Sequence, residues 1–251
     1  MRDCGILLHI SSLPGRGGCG TMGKEARRFV DYLRAAGQSC WQVLPLTPPA
    51  KGDSPYSSYS VFAGNPFLID LGALRNENLL PEDALKFLPD GAETADYGWC
   101  ESVHMKLLRE SYLYAGDKLR PAVARFSARN AFWLPDYALF MAIKSAYGRA
   151  DLRNWPDALR LRESDAMEAA QEAYAREIRF WEYVQYLFFM QWRALRRYAN
   201  ARGITLIGDM PIYVAADSAD VWANPKVFDL DADLLPRRVS GVPPDAFSAD
   251  G

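Results

Sequence analysis

A chain of 251 residues with 49% hydrophobic and 24% charged side chains has the apolar mass for a substantial core, and that composition excludes an intrinsically disordered segment. A formal net charge of −2, a pI near 5.8 and Lys and Arg spread along the chain give no electrostatic reason for a nucleic-acid or anionic-membrane partner, so a neutral or small substrate is expected. Two histidines, His9 and His104, and four cysteines without CxxC spacing are too few for a ready zinc site, and free thiols in a reducing cytoplasm are expected.

The apolar run after Met1 is short and interrupted by His9, which does not fit a signal peptide. Residues 4–10 (CGILLHI) read as a strand buried on both faces. Residues 24–36 carry Phe29, Val30 and Leu33 at helical spacing among charges, with Gly37 as the stop. Residues 39–46 (SCWQVLPL) read as a second strand ended by Pro45. Strand, helix and strand in this order predict a parallel pair with a right-handed crossover. The polar loop over residues 48–66 then lies where a parallel β-barrel places its chemistry.

Residues 72–200 are mostly helix formers and predict an inserted helical subdomain. One run over residues 164–202 keeps Ile178, Trp181, Val184, Leu187, Phe188 and Trp192 on one broad face. Its apolar part, residues 183–192, carries Gln185 and Gln191 and falls short of the ~20 residues that span a bilayer. After Gly203, residues 204–212 (ITLIGDMPI) read as a third buried strand with Asp209 near its carboxyl end. The tail, residues 214–251, is loop-rich.

Gly18-Cys19-Gly20-Thr21-Met22-Gly23 spells GxGxxG between a strand and a helix. Its glycines start well after the strand, Pro14 intervenes, and the second strand ends without the acid a ribose would need, so a plain glycine-rich loop is the better reading. Asp209 is either satisfied by backbone amides or an Arg, or is an acid at a barrel mouth facing sugar hydroxyls or a cationic transition state; its position favours the second. Residues 53–59 (DSPYSSY) set hydroxyls beside aromatic faces, which suits a sugar, although an ordered loop packing its own rings is the bland alternative. Trp222-Ala223-Asn224-Pro225 leans the same way.

Several segments together resemble the amylomaltases, the 4-alpha-glucanotransferases or disproportionating enzymes of glycoside hydrolase family 77. They are Gly5-Ile6-Leu7-Leu8-His9 with Ser12-Leu13-Pro14, Trp41-Gln42-Val43-Leu44-Pro45-Leu46, Gly52-Asp53-Ser54-Pro55-Tyr56, Gly64-Asn65-Pro66, Gly208-Asp209-Met210-Pro211-Ile212 through Val221-Trp222-Ala223, and Gly241-Val242-Pro243-Pro244-Asp245. The resemblance implies an α/β fold, a partial (β/α)8 TIM barrel of the α-amylase type with an inserted helical subdomain. Residues 1–71 would hold the first strands and active-site loop, 72–200 the subdomain, and 201–251 the third strand and glucan-binding loops.

It also implies retaining transfer of α-1,4-glucan segments to the 4-hydroxyl of an acceptor, without metal or organic cofactor, on maltooligosaccharides or starch-derived chains. Tyr56 would stack under the sugar and Asp209 would be the acid after the third strand. Ser54, Asn65, Pro244, Asp245 and Phe247 would line the glucan groove. Retention needs two carboxyl groups ~5 Å apart, and the family's Arg-x-Asp-His nucleophile segment does not occur in this sequence. The chain therefore reads as the N-terminal half of such an enzyme, inactive alone. The alternative is a non-catalytic carbohydrate-binding protein, and a nucleotide-dependent sugar enzyme using the GxGxxG is a further rival. Pro49-Ala50-Lys51 departs from relatives that carry an aromatic there.

Overall fold

Three strands, β1 (Gly5–Leu7), β2 (Cys40–Gln42) and β3 (Thr205–Ile207), form a parallel sheet in the order β1-β2-β3. The structure, a computed structural model, describes residues 3–88, 94–238, 241 and 243–244. Gly5, Cys40 and Thr205 are level in the sheet, followed by Ile6, Trp41 and Leu206, then Leu7, Gln42 and Ile207. A Cβ on Gly5 would stand 2.2 Å from the Cys40 sulfur and 2.3 Å from its carbonyl oxygen, so this close strand approach requires glycine. The ladder runs one step further through Leu8 N–H to Gln42 O and Val43 N–H to Ile207 O.

The strands are shorter than the sequence predicts, and they are covered on one face only. Trp41 is fully buried, lies edge-on to Phe29 at 4.9 Å and donates its indole N–H to Leu8 O at 2.7 Å. On the opposite face Leu7 is 55% and Ile207 42% exposed. The expectation of strands buried on both faces over residues 4–10 and 204–212 is therefore corrected. The sheet packs against helices α1 (Lys24–Ala35) and α8 (Ala175–Asn200).

Helix α1 ends where Gly37 turns left-handed, φ +70°, letting Gln38 N–H reach Leu33 O at 2.9 Å. Between the second and third strands come α2 (Leu71–Asn76), α3 (Tyr97–Trp99), a π-helical turn (Cys100–His104), α4 (Met105–Arg129), α5 (Leu134–Ala146), α6 (Asp157–Arg160) and α7 (Ser164–Ala173), with α9 (Ala219–Ala223) after β3. The single run predicted over residues 164–202 is two helices that break at Tyr174. Tyr112 touches Phe180 and Tyr183, whereas Phe126 touches Tyr186 and Phe189, so α4 and α8 run parallel. Tyr137 meets Trp181 and Trp133 meets Phe189, so α5 runs against α8. The apolar core is continuous from Val30, Leu33 and Trp41 to Phe140, Val184 and Leu187. No helix among the described residues is long and apolar enough to cross a membrane, and Cys4, Cys19, Cys40 and Cys100 are free thiols.

The two glutamines inside the apolar stretch of α8 hold the chain that leaves the second strand. Gln185 accepts from Gly64 N–H at 2.7 Å and donates to Gly64 O at 2.9 Å. Gln191 does the same for Asp70, at 2.7 and 3.0 Å. A Cβ on Gly64 would stand 2.0 Å from a Phe188 ring carbon, so the loop lies directly on the helix. Replacing Gln185 with Leu strands a buried donor and a buried acceptor, at about 1–3 kcal/mol each. Urea denaturation of Gln185→Leu should show a loss of at least about 2 kcal/mol; a neutral effect would mean that water replaces the clamp.

His9 and His104 are both buried, and burial lowers each pKa from 6.5 to about 4, with a backbone hydrogen bond at Pro66 partly opposing this for His104. An unfolded chain binds these protons near pH 6.5 and the folded one only near pH 4, so stability is complete above 6.5 and falls as pH drops toward 4. Each histidine accounts for on the order of 3 kcal/mol across that window. The melting temperature of His104→Gln should fall less between pH 7 and pH 4.5 than that of the parent; parallel curves would contradict the assignment.

Candidate functional site

The loop after the second strand leaves and returns by its own backbone bonds. Pro49 and Ser58 form an antiparallel bridge, Ala50 N–H donates to Ser57 O at 2.8 Å and Tyr59 N–H to Pro48 O at 3.1 Å. At the tip Gly52 and Asp53 are both left-handed, φ +94° and +58°, conformations that glycine and aspartate tolerate best. The Ser54 hydroxyl accepts Tyr56 N–H at 3.3 Å and so helps set the direction of the tyrosine.

A second segment supports this loop from the far side of the sequence. Tyr59 O accepts Ala219 N–H at 2.9 Å, and Asp220 accepts Val61 N–H at 2.9 Å. Burial raises the Asp220 pKa, opposed by its hydrogen bonds to Val61 and Ser60. Asp217 binds Lys144, which is 1% exposed, at 2.6 Å and accepts Leu152 N–H at 3.0 Å. The sequence reading missed Asp217, Asp220, Gln185 and Gln191. Ser218 caps α9 by accepting Val221 N–H at 3.2 Å.

Tyr56 and Asp209 meet although 153 positions separate them: the Tyr56 hydroxyl donates to Asp209 Oδ2 at 2.8 Å. The other carboxylate oxygen accepts Met210 N–H at 2.8 Å. Tyr56 follows the carboxyl end of the second strand and Asp209 lies two residues past the third, so a parallel sheet delivers both to one edge. Asp209 is exposed rather than inside a buried strand, because the ladder ends at Ile207; water solvates its charge, and no buried-charge cost arises. Asn65 is 3% exposed and caps the turn Pro66–Leu68 by accepting Phe67 N–H at 3.0 Å. Pro244 is exposed, and Asp245 and Phe247 lie outside the described residues. Trp222 is fully buried, donates to Leu159 O at 2.9 Å and packs on Phe140 and Trp155, so it is a core residue and not a sugar platform.

Beside the loop opens a cleft of about 710 Å³ lined by Lys51, Asp53, Ser57, Tyr97, Gly98 and Asp217. Among the described residues no His, Cys, Asp and Glu cluster is arranged to hold a metal ion. The GxGxxG segment has no room for a phosphate: a Cβ on Gly23, which precedes α1, would stand 2.1 Å from Asp70 Oδ2, and that oxygen already accepts the Thr21 hydroxyl at 2.6 Å. The Asp70 carboxylate lies against Gly23, the residue that precedes α1.

The hydrogen bond to Asp209 is the first cause raising the Tyr56 pKa above 10, followed by desolvation and the carboxylate charge. In NMR of tyrosine labelled at the ring ζ carbon, Tyr56 should ionise at higher pH in the parent than in Asp209→Asn. Identical titrations would break the link between the two side chains.

The chain is similar to known proteins over its whole length. The family described as 4-alpha-glucanotransferase, glycoside hydrolase family 77, matches residues 8–251. A 4-alpha-glucanotransferase of Thermus thermophilus is 48% identical over 254 residues, which cover 100% of this chain and 50% of that protein. One of Clostridium butyricum is 44% identical over 247 residues, 97% of this chain and 51% of that one. The solved amylomaltase of Streptococcus agalactiae in complex with acarbose superposes with a TM-score of 0.93 at 40% identity, covering 100% of this chain and 52% of its own. The chain spans about half the length of the curated relatives it matches. It belongs to the 4-alpha-glucanotransferase family, glycoside hydrolase family 77.

Proposed function

We propose that this chain is the N-terminal half of a 4-alpha-glucanotransferase that moves α-1,4-glucan segments to an acceptor sugar with retention. The observation that carries the reading is the Tyr56–Asp209 hydrogen bond at the carboxyl edge of a parallel sheet, in a chain that matches the family over residues 8–251. The sheet is then the first part of a (β/α)8 barrel, with residues 1–71 and 201–251 contributing strands and loops and 72–200 an inserted subdomain.

Tyr56 offers an aromatic face to the CH-rich side of a glucose ring while its hydroxyl stays bonded to Asp209. The Asp209 carboxylate, charged and open to solvent, accepts sugar hydroxyls or offsets an oxocarbenium-like charge. Ser54 positions the loop, and the family resemblance assigns Pro244, Asp245 and Phe247 a glucan-binding role. Neither metal nor organic cofactor is needed, because glycosyl transfer of this kind is carried by two carboxyl groups. This chain lacks the Arg-x-Asp-His segment that would supply the nucleophile, so it binds glucan without transferring it. The expected compartment is the cytoplasm, and the relatives' names do not favour the non-catalytic alternative.

The purified 251-residue chain should release no glucose from maltotriose, yet bind maltoheptaose with an affinity that Tyr56→Ala lowers about tenfold, close to the loss of one stacking ring. Glucose release that disappears in Tyr56→Ala Asp209→Ala would refute inactivity. Maltoheptaose binding untouched by both substitutions would refute the groove.

A further inference from the structure

On the carboxyl-terminal halves of α4 and α8 lie two adjoining hollows of about 470 and 290 Å³. They share Tyr186 and Arg193 with each other and no residue with the cleft beside the substrate loop. Five arginines line them, Arg125 and Arg129 of α4 and Arg193, Arg196 and Arg197 of α8. Phe126 touches both Tyr186 and Phe189 and so fixes the two helices side by side at this point. Arg125 and Arg129 are four residues apart, as are Arg193 and Arg197, so each pair shares one helix face.

These arginines differ from others in the fold by having no counter-charge. Elsewhere a helical arginine stands beside an acid: Arg28 pairs with Glu25, Arg109 with Glu177, Arg120 with Asp117 and Arg160 with Asp157. Among the described residues none of the five enters an ion pair, and no Asp or Glu lines either hollow. Like charges one turn apart on a helix repel each other. Parallel packing explains why the arginines gather, but the two helix carboxyl ends supply only about one negative charge between them. Most of the positive charge is left over, and the chain provides no anion to meet it.

The lining determines which anion fits. Arginine presents a planar fork of N–H donors that matches the oxygens of a phosphate. Arg193 donates its Nε–H to Phe189 O at 2.9 Å, which holds one fork where the hollows meet. A single tetrahedral ion cannot span arginines set a helical turn apart on two helices, whereas a chain of linked phosphates can. Tyr186, half-buried and common to both hollows, places an aromatic ring among the guanidinium groups, a surface on which a planar base can lie. The volumes fall at the lower end of the ~300–1,000 Å³ range of ligand pockets, which suits a small molecule. A chain of net charge −2, with its patch confined to the ends of two helices, lacks the long basic stripe that tracks a nucleic-acid backbone.

We propose that the arginine-lined hollows on α4 and α8 bind a small anion carrying two or more linked phosphates, with Arg193 at the centre and Arg125, Arg129, Arg196 and Arg197 around it. The linked phosphates come as an inorganic oligophosphate or as a nucleoside polyphosphate, whose base adds a contact with Tyr186. Neither Tyr56 nor Asp209 takes part, so this site stands or falls independently of the glucan-transfer reading.

Calorimetric titration of the 251-residue chain with tripolyphosphate and with ATP, at an ionic strength of about 0.15 M, tests this. Saturable binding with a Kd below about 1 mM is expected. It should weaken about tenfold, the loss of one charge-assisted hydrogen bond, in each of Arg193→Gln and Arg129→Gln. Both side chains are exposed and glutamine matches arginine in helix propensity, so the variants should fold, which circular dichroism checks. Arg120→Gln removes the same charge from α4 at an arginine already paired with Asp117 and should leave the affinity unchanged. Tighter binding of ATP than of tripolyphosphate identifies a nucleotide as the source; equal or weaker binding identifies the phosphate chain alone. Absence of saturable binding of either compound overturns the proposal, as does binding indifferent to both Arg193→Gln and Arg129→Gln. An equal loss in Arg120→Gln would reduce the effect to net charge and also overturn it. Orthophosphate binding as tightly as tripolyphosphate would overturn the requirement for linked phosphates.

Discussion

The backbone that leaves the second strand runs through the interior, and its buried polar groups need partners that no sheet or helix of its own provides. Helix α8 provides them from Gln185 and Gln191, each closing a two-bond contact with one residue of the chain, Gly64 and Asp70. The rest of the architecture depends on this constraint. Helix α8 also covers the sheet beside α1 and packs on α4 and α5, so the element that fixes the loop is the one joining sheet to helical layer. Asp220 and the amide of Ala219 hold the next stretch of loop. Tyr56 projects from a tip whose two stems are both tied down, and it reaches Asp209 without a rigid element of its own.

Much of this was legible in the sequence where the signal was local. Strand, amphipathic helix and strand over residues 4–46 carry their periodicity and their glycine stop within a few residues, and the helix expected over residues 24–36 spans Lys24–Ala35. The pairing of Tyr56 with Asp209 was legible only through parallel topology, since successive parallel strands deliver their carboxyl ends to one edge. Burial was misread because apolar composition does not say how many faces are covered: Leu7 and Ile207 look like core residues and are exposed. Trp222 was misread in the opposite sense, since tryptophan suits sugar and core alike. The glutamine clamps and Asp217 were invisible because their partners are backbone groups or a lysine 73 positions away.

Charge shows the same divide between sequence and surface. Lys and Arg are spread along the chain, yet Arg125 and Arg129 of α4 and Arg193, Arg196 and Arg197 of α8 gather around two adjoining hollows that share Tyr186 and Arg193. The parallel packing of α4 and α8 accounts for this. Two helices pointing the same way bring two carboxyl termini, each with partial negative charge, to the same end, and arginines in the last turns offset it. A near-neutral chain thus carries a strongly basic patch whose origin is helix direction, and no nucleic-acid partner is needed to explain it.

The exposure of the Tyr56–Asp209 pair also separates what it can do from what it cannot. A carboxylate open to water that accepts a tyrosine hydroxyl and a backbone amide is held in one orientation, which serves binding. A nucleophile or proton donor for retention needs a partner carboxyl ~5 Å away, with an environment that pushes the two acidities apart. Asp209 has a phenol for a neighbour instead, and that phenol is held protonated by the bond it donates. Among the described residues the pair therefore presents an aromatic ring and a solvent-facing carboxylate rather than two neighbouring carboxyl groups.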